Sequence, residues 1–121
     1  MKYRSSDEGE LIKKKDYSKK IIFPAKDFQN KDHLLQVVTI PPKTKQRQHF
    51  HHKQTEVFYI LEGTTTIIIN DKEYQAKPGD AFICSPGDKH NLWNKTDRKF
   101  KLVVFKINLP QKNYDICWIE K

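Results

Sequence analysis

The sequence has only two cysteines, Cys84 and Cys117, and they lie far apart in the chain. Small domains held together by disulfides carry more cysteines, so a disulfide framework is not indicated. No CxxC pair is present, which excludes the usual cysteine-based zinc sites. We therefore interpret both residues as reduced thiols of a cytoplasmic protein, with Cys84 buried in an apolar run.

Long apolar runs are absent as well. None approaches the roughly 18 residues that a transmembrane helix needs, so the sequence predicts no membrane partner. The first ten residues, MKYRSSDEGE, are polar and include acidic side chains, unlike the start of a secretory signal. Both features favour a cytoplasmic location.

The chain does contain enough apolar material for a single folded domain. It has 121 residues, of which 36 % are hydrophobic and 12 % aromatic, too many for a disordered chain. Residues 1–18 are polar and basic, and we interpret them as an extended N-terminal arm that is ordered only if it packs on the body or on a second subunit. Residues 19–121 are the predicted β-barrel domain. Within it, the apolar tail NYDICWIEK is expected to add a last strand or to cover a neighbouring surface.

The formal net charge is +8, and almost all of it lies in the first half of the chain. Residues 1–53 hold 13 Lys/Arg and 6 Asp/Glu, a net charge of +7, whereas residues 54–121 hold 10 and 9, a net charge of +1. Such asymmetry is typical of proteins that bind nucleic acid, an anionic membrane surface or an anionic substrate. The basic stretch KKKDYSKK has no recognisable nucleic-acid-binding module beside it, so nucleic acid is not favoured as a partner.

Short runs of β-branched and aromatic residues predict an all-β protein. They alternate with turn signals such as Pro41-Pro42, and no amphipathic helix is visible. Short strands with turns about every 8–12 residues are typical of a sandwich or barrel. KKIIF (19–23), before Pro24, is a predicted edge strand because proline cannot donate to a central ladder. The other predicted strands are 34–40, 56–61, 64–69, 81–84 and 100–109.

The last of these strands is apolar on both faces. In FKLVVFKINL, Phe100, Leu102 and Val104 alternate with a second apolar set on the opposite face. One face is expected to line the barrel interior, and the other needs cover from a second sheet, the arm or a partner. A two-sided apolar strand in so small a protein favours a homodimer.

Four of the five histidines fall in two short segments. In QHFHHKQTE, His49 and His51 share one face of a strand because side chains alternate with period two. Glu56 follows where a short turn can bring the next strand back beside the first. Two imidazoles and a carboxylate on one face form a ligand set for a divalent transition metal, and His90 would complete it. For an HxH pair alone, the alternatives are an exposed histidine-rich turn or a hydrogen-bonded core histidine.

These residues resemble the motifs of the cupin family. The pattern HxHx4Ex6G, from His49 to Gly63, reproduces the first cupin motif from its first histidine onward. The pattern Gx5SPGx2Hx3N, from Gly79 to Asn94, resembles the second motif. The resemblance implies a single-domain double-stranded β-helix, or jelly-roll β-barrel. It also implies a bound metal ion (Fe, Mn, Ni, Co, Cu or Zn) held by His49, His51, Glu56 and His90.

The chain departs from the family motifs at two positions. Lys43 stands where the first motif opens with glycine, so we expect that turn to avoid positive φ. Ser85 stands where the second motif has proline. Neither position is a ligand. Asn94, at the end of the second motif, is expected either to orient His90 or to cap a turn.

Counting with period two from the ligands predicts further pocket residues. Arg47 shares parity with His49 and could clamp a carboxylate or phosphate, the alternative being a solvated basic edge. Gln46 is expected to face the other way if the strand is regular. The remaining substrate-binding candidates are Phe58, Ile60, Leu92 and Gln36, the last of which has a solvent-facing strand position as its alternative.

Two functions compete on this basis. The first is a metal-dependent enzyme of isomerase, epimerase or oxygenase type, since cupins as a family include such enzymes. The basic rim of Lys43, Lys45 and Arg47 favours a small anionic or sugar-type substrate. The second is a non-catalytic ligand-binding or sensor protein that uses the same pocket.

Overall fold

The computed structural model describes residues 1–110 and 115–119, and these residues are folded as β-structure. They contain twelve strands and one 3-10 turn, Ala25–Asp27, but no α-helix, and hence no helix long and apolar enough to cross a bilayer. The predicted all-β class is confirmed. The strands are β1 (Glu10–Lys13), β2 (Ser18–Phe23), β3 (His33–Ile40), β4 (Thr44–Lys45), β5 (His49–His51), β6 (Thr55–Glu62), β7 (Thr65–Ile69), β8 (Lys72–Ala76), β9 (Ala81–Cys84), β10 (His90–Asn94), β11 (Phe100–Ile107) and β12 (Ile116–Trp118).

The strands form two antiparallel sheets. The first has the order β1-β2-β3-β11-β6-β9, and the second has the order β12-β5-β10-β7-β8, with β4 also paired to β10. Several neighbours in space, such as β3 and β11 or β5 and β10, are therefore distant in sequence, as in a jelly roll. Inward side chains of both sheets share one core.

Alternation along the strands builds this core. In β11, Phe100, Leu102 and Val104 are buried, whereas Val103 and Phe105 on the outer face are only partly covered. Removing side chains of this size from water contributes about 1.5–3 kcal/mol each to folding. The core residues are Val38, Ile40, Phe58, Ile60, Ile67, Ala76, Cys84, Leu92, Phe100, Leu102 and Val104.

The N-terminal segment packs on the barrel. Residues 10–13, within the segment interpreted as an arm, form β1, which pairs with β2 from Glu10↔Ile21 to Lys13↔Ser18. Strand β2 lies between β1 and β3, so the prediction that 19–23 form an edge strand is wrong. Pro24 comes directly after β2, where no ladder bond is required of it. The division between an arm at 1–18 and a barrel at 19–121 stays a prediction, and residues 111–114, 120 and 121 lie outside the described residues.

Lys43 and Gly63, at the two ends of the first motif, both lie at positive φ. Lys43 has φ 53°, so the expectation that this turn avoids positive φ is wrong. Its backbone N–H donates to the carbonyl of Thr96 at 3.0 Å, and its Nζ donates to the carbonyl of Lys95 at 2.9 Å. These bonds offset a strain of about 1–2 kcal/mol. Gly63 has φ 82°, and a Cβ there would lie 2.8 Å from the carbonyl oxygen of Lys99, so this turn requires glycine.

Candidate metal centre

Three histidines and a glutamate meet where the two sheets approach each other. His49 and His51 lie on β5, and His90 lies opposite His49 on the adjacent strand β10. Glu56 reaches the same point from β6 of the other sheet. One ligand atom from each of the four residues lies within 4.8 Å of all the others, so the cluster could hold a metal ion.

Each imidazole is oriented by a backbone carbonyl on the side away from the cluster. Nδ1 of His49 lies 3.3 Å from the carbonyl of Arg47, and Nδ1 of His90 lies 3.0 Å from that of Asp88. Nδ1 of His51 lies 3.2 Å from the carbonyl of Asp115. A proton donated from Nδ1 leaves the Nε2 lone pair free for a metal, which is the arrangement that ligand histidines require.

Glu56 is the acidic member of the cluster and contacts two of its histidines. Oε1 of Glu56 lies 2.9 Å from Nε2 of His51 and 2.9 Å from Nε2 of His90. Burial opposes ionisation of Glu56, but these hydrogen bonds outweigh it and hold the pKa of Glu56 well below its usual range. Burial also acts to lower the pKa of His90, yet the hydrogen bond and charge of Glu56 raise it.

The surroundings of His49 disfavour its protonation. Burial, followed by the charge of His90, lowers the pKa of His49 to about 4. Its ring centroid lies 4.4 Å from that of His90 and 5.1 Å from that of Trp118, which packs against it. The donors thus comprise an ionised carboxylate, two imidazoles hydrogen-bonded to it and the imidazole of His49, and a divalent cation would take the place of the hydrogen-bonding protons. The donor chemistry fits a transition metal ion.

Gln54 gives a second contact to His51. Nε2 of Gln54 lies 3.0 Å from Nδ1 of His51, and Oε1 of Gln54, although buried, has no hydrogen-bond partner. When Nε2 of His51 binds a metal, Nδ1 carries the proton, and an amide N–H of Gln54 facing it becomes unfavourable. A half-turn of the Gln54 amide then brings Oε1 to the Nδ1–H group. The orientation of this amide therefore depends on the tautomer of His51.

The C-terminal strand β12 supports the strand that carries two ligands. It pairs with β5 in the register Ile116↔His51 and Trp118↔His49. The apolar tail was expected to add a last strand or to cover a surface, and residues 116–118 do form a strand there. Sequence reasoning missed Asp115 and Gln54, because neither occupies a spacing that links it to the histidines.

A cavity of about 1040 Å³ opens beside the cluster. Four of the five substrate-binding candidates, Gln36, Arg47, Phe58 and Leu92, line it together with all four cluster residues. Ile60 does not: it lies deeper, 1 % exposed, in the core. Gln36 is buried at 4 % exposed, so its solvent-facing alternative is excluded.

Two basic side chains of the rim predicted from the sequence pack against aromatic rings. The guanidinium of Arg47 lies 4.2 Å from the ring centroid of Trp118, and Nζ of Lys45 lies 4.6 Å from that of Trp93. Gln46 also lines the cavity, so the expectation that it faces away is wrong. The reason is that the chain leaves the strand between β4 and β5, which breaks the period-two count.

Asn94 caps a turn and does not contact His90. Its Nδ2 donates to the carbonyls of Ile40, Pro41 and Arg98 at 3.3, 3.0 and 2.8 Å. Its Oδ1 accepts from the backbone N–H and the hydroxyl of Thr96 at 3.1 and 2.7 Å. Of the two expected roles, turn capping is the one that these contacts support.

Comparison with known proteins agrees with this geometry. Residues 36–106 match the cupin domain family. An oxidoreductase of Arthrobotrys oligospora is 39 % identical over 69 residues, which are 56 % of this chain and 25 % of that protein. An oxalate-binding protein of Thermotoga maritima is 31 % identical over 79 residues, 64 % of this chain and 65 % of that protein. The chain thus spans less than two thirds of the length of these curated relatives. The solved structure of a predicted oxalate decarboxylase from Thermotoga maritima superposes with a TM-score of 0.78 at 25 % identity, over 90 % of this chain and 100 % of that one.

Proposed function

Because the chain belongs to the cupin family, we propose that it is a metal-dependent enzyme acting on a small anionic or sugar-type substrate. The observation that carries the proposal is the cluster of His49, His51, Glu56 and His90 in the wall of a large cavity. A rigid donor set beside a space for a small molecule is the usual arrangement of a metalloenzyme site.

The chain's own residues would hold the ion and position the substrate. A divalent transition metal supplies Lewis-acid chemistry for isomerisation or epimerisation, or oxygen chemistry if it is iron. Glu56 contributes the negative charge that retains the ion, and the carbonyls behind the three imidazoles fix their rings. Phe58 and Leu92 form apolar walls that exclude water from the side of the cavity next to His90.

The names of the relatives support a small carboxylate or related anion as the ligand. One relative is an oxalate-binding protein, and a solved structure similar to this chain is a predicted oxalate decarboxylase. The oxalate-binding relative also favours the second candidate function, a non-catalytic ligand-binding or sensor protein. Turnover of a substrate separates the two, because a sensor retains its ligand chemically unchanged.

The decisive experiment begins with protein purified without an affinity tag. Elemental analysis should find close to one transition-metal ion per chain, and mass spectrometry of the released small molecules would identify a retained ligand. His51→Ala and Glu56→Ala should abolish metal binding. His52→Ala is the matched control, because His52 is adjacent in sequence but exposed and outside the cluster. Undiminished metal binding in His51→Ala would contradict the site.

Activity is then tested with a panel of keto-sugars, sugar phosphates and oxygenase substrates. The enzyme proposal expects turnover of at least one class by the metal-loaded protein and none by Glu56→Ala. Retention of the metal together with a tightly held, unchanged ligand and no turnover would favour the sensor function instead.

We also propose that the protein is a homodimer in a reducing, cytoplasmic setting. Ile83, Tyr59 and Leu61 are 63 %, 48 % and 45 % exposed on neighbouring strands β9 and β6. Strand β9 ends its sheet among the described strands, so its open edge and this apolar face could meet the same surface of a second copy. Light scattering should give the mass of a dimer, reduced to a monomer by Ile83→Lys. The control Leu11→Lys, on the opposite edge strand, should leave the dimer intact.

A further inference from the structure

We propose that Lys19 and Lys106 form an anion-binding pair in the cavity, and that the ligand is a hydroxylated anion. Its charged group lies between the two ammonium groups, and one of its hydroxyls donates to Oε1 of Gln36. This inference rests on the proposed function, because it assigns the substrate class of the same cavity. It assigns recognition of the anion to the interior wall of the cavity and not to the rim of Lys43, Lys45 and Arg47.

The three residues lie on adjacent strands and face the same side. Lys19 on β2 is opposite Val38, and Gln36 on β3 is opposite Val104 of β11. Val38 and Val104 are core residues, so their partners also point inward. Lys106 lies two residues beyond Val104 and shares its face. All three polar side chains line the cavity.

The two lysines place positive charge inside this wall, and of the two only Lys106 has a carboxylate partner among the described residues. The side chain of Lys106 is 21 % exposed, and its Nζ lies 4.0 Å from Oε2 of Glu56, a carboxylate that also serves the metal cluster. Within residues 1–110 and 115–119, Lys19 makes no ion pair within 4.0 Å. Burial lowers the pKa of Lys19, and the charge of Lys106 lowers it further, while Glu10 and Glu56 act in the opposite direction. An anion held between the lysines would relieve their repulsion.

Gln36 favours a ligand that carries a hydrogen-bond donor as well as a negative charge. The residue is 4 % exposed, and its Oε1 has no hydrogen-bond partner. An unpaired buried carbonyl is unfavourable, and a ligand O–H or N–H group would satisfy it. Two cations and an acceptor on one wall, beside a metal cluster, match a sugar acid or a sugar phosphate better than a simple dianion.

The rim residues have other contacts. Nζ of Lys43 donates to the carbonyl of Lys95 and pairs with Asp97, and Lys45 lies over the ring of Trp93. Asp16 is the acidic residue of the β1–β2 turn that also lines the cavity, close to Lys14 and Lys15. The interior pair therefore offers the more specific anion site, and rim charge contributes mainly long-range attraction.

Equilibrium binding to the metal-loaded protein tests the inference. The probes are D-gluconate, D-glucose 6-phosphate, D-glucose and inorganic phosphate, measured by calorimetry at fixed ionic strength. At least one of the two hydroxylated anions should bind roughly 10-fold tighter than both glucose and phosphate. Gluconate and glucose 6-phosphate distinguish a carboxylate ligand from a phosphate ligand. If neither binds better than glucose, the inference is overturned.

Lys19→Met is the decisive variant, because Lys106 contacts a candidate metal ligand and Lys19 does not. It should weaken binding of the preferred anion about 10-fold or more, while Lys19→Arg retains most of it and the rim control Lys45→Met changes it less than about 2-fold. Gln36→Leu should weaken the hydroxylated anion but not inorganic phosphate. Unchanged affinity in Lys19→Met would overturn the pair.

Metal content measured on the same samples separates the two proposals. Protein that binds its metal but does not discriminate among the probes contradicts this inference and leaves the proposed function intact. Protein that binds no metal, yet still loses gluconate or glucose 6-phosphate in Lys19→Met, contradicts the proposed function and supports the lysine pair.

Discussion

The main-chain carbonyl of Asp115 lies 3.2 Å from Nδ1 of His51, so a residue 64 positions along the chain orients a candidate metal ligand. The side chain of the same aspartate holds the turn that follows His51. Its carboxylate accepts from the backbone N–H groups of His52, Lys53 and Gln54 at 3.1, 2.8 and 2.9 Å. Burial acts to raise the pKa of Asp115, but these three donors outweigh it and keep the pKa low.

Asp115→Ala is expected to weaken both the fold and the metal site. Three backbone donors lose their acceptor, which should lower the free energy of unfolding by about 1–3 kcal/mol. Because the carbonyl that orients His51 is no longer anchored, metal affinity should fall roughly 10- to 100-fold. Chemical denaturation and competition with a chelator measure the two effects.

Asp97→Ala provides the control for this variant. Asp97 is an exposed aspartate that pairs with Lys43 on the surface, so removing it should change stability by less than about 0.5 kcal/mol. Equal metal affinity in Asp115→Ala and the native protein would show that the Asp115 side chain is not needed to position His51.

Metal removal should lower the thermal stability of the native protein. An ion that binds only the folded state stabilises it by about 2.7 kcal/mol when present at 100 times its Kd. For a domain of this size the corresponding decrease in Tm on chelation is about 10 °C. His51→Ala should melt at the same temperature with and without metal, as measured by circular dichroism, and a retained shift would place the ion elsewhere.

Asn94 is expected to matter for stability and not for metal binding. It is fully buried, and its amide bonds to three carbonyls and to Thr96. Asn94→Ala leaves several of these groups unpaired and should destabilise the protein by about 2–4 kcal/mol, with unchanged metal stoichiometry. Thr96→Ala, which removes only one hydroxyl, should have a smaller effect. Loss of metal from folded Asn94→Ala would indicate that Asn94 does help to orient His90.

The two cysteines should differ in reactivity. Cys84 is 2 % exposed, and burial together with the charges of Glu56 and Asp88 raises its pKa to about 12. Cys117 is partly exposed, with Sγ 2.9 Å from Nε2 of His52. Iodoacetamide should therefore label Cys117 alone in the native protein and both residues after denaturation, as mass spectrometry would show. Labelling of native Cys84 would indicate that its core opens readily.

Local pattern was sufficient to predict the fold class, most strands and the histidine cluster. Strands such as β3 and β11 are dense in β-branched residues, so their extended structure follows from composition. Strand β8, KEYQA, was missed because its side chains are mostly polar and it becomes a strand only by pairing with β7. The same is true of β1, whose residues pair with β2.

The support around the cluster was harder to predict, because it depends on contacts between distant segments. No spacing rule connects Asp115 with His51 or Lys19 with Gln36. One signal for Lys106 was present, since it shares parity with Phe100, Leu102 and Val104 on the buried face of β11. A lysine on an otherwise apolar inward face is unusual and marks a residue that faces a cavity.

The position of β12 beside β5 has a consequence for the order of synthesis. Residues 115–119 follow both histidine segments in the chain, so a ribosome makes them after all four metal-binding side chains. Without that segment, β5 would be an edge strand of its sheet and would lack both the carbonyl beside His51 and the tryptophan ring beside His49. The nascent chain therefore carries all four metal-binding side chains before the segment that supports His49 and His51 has been made.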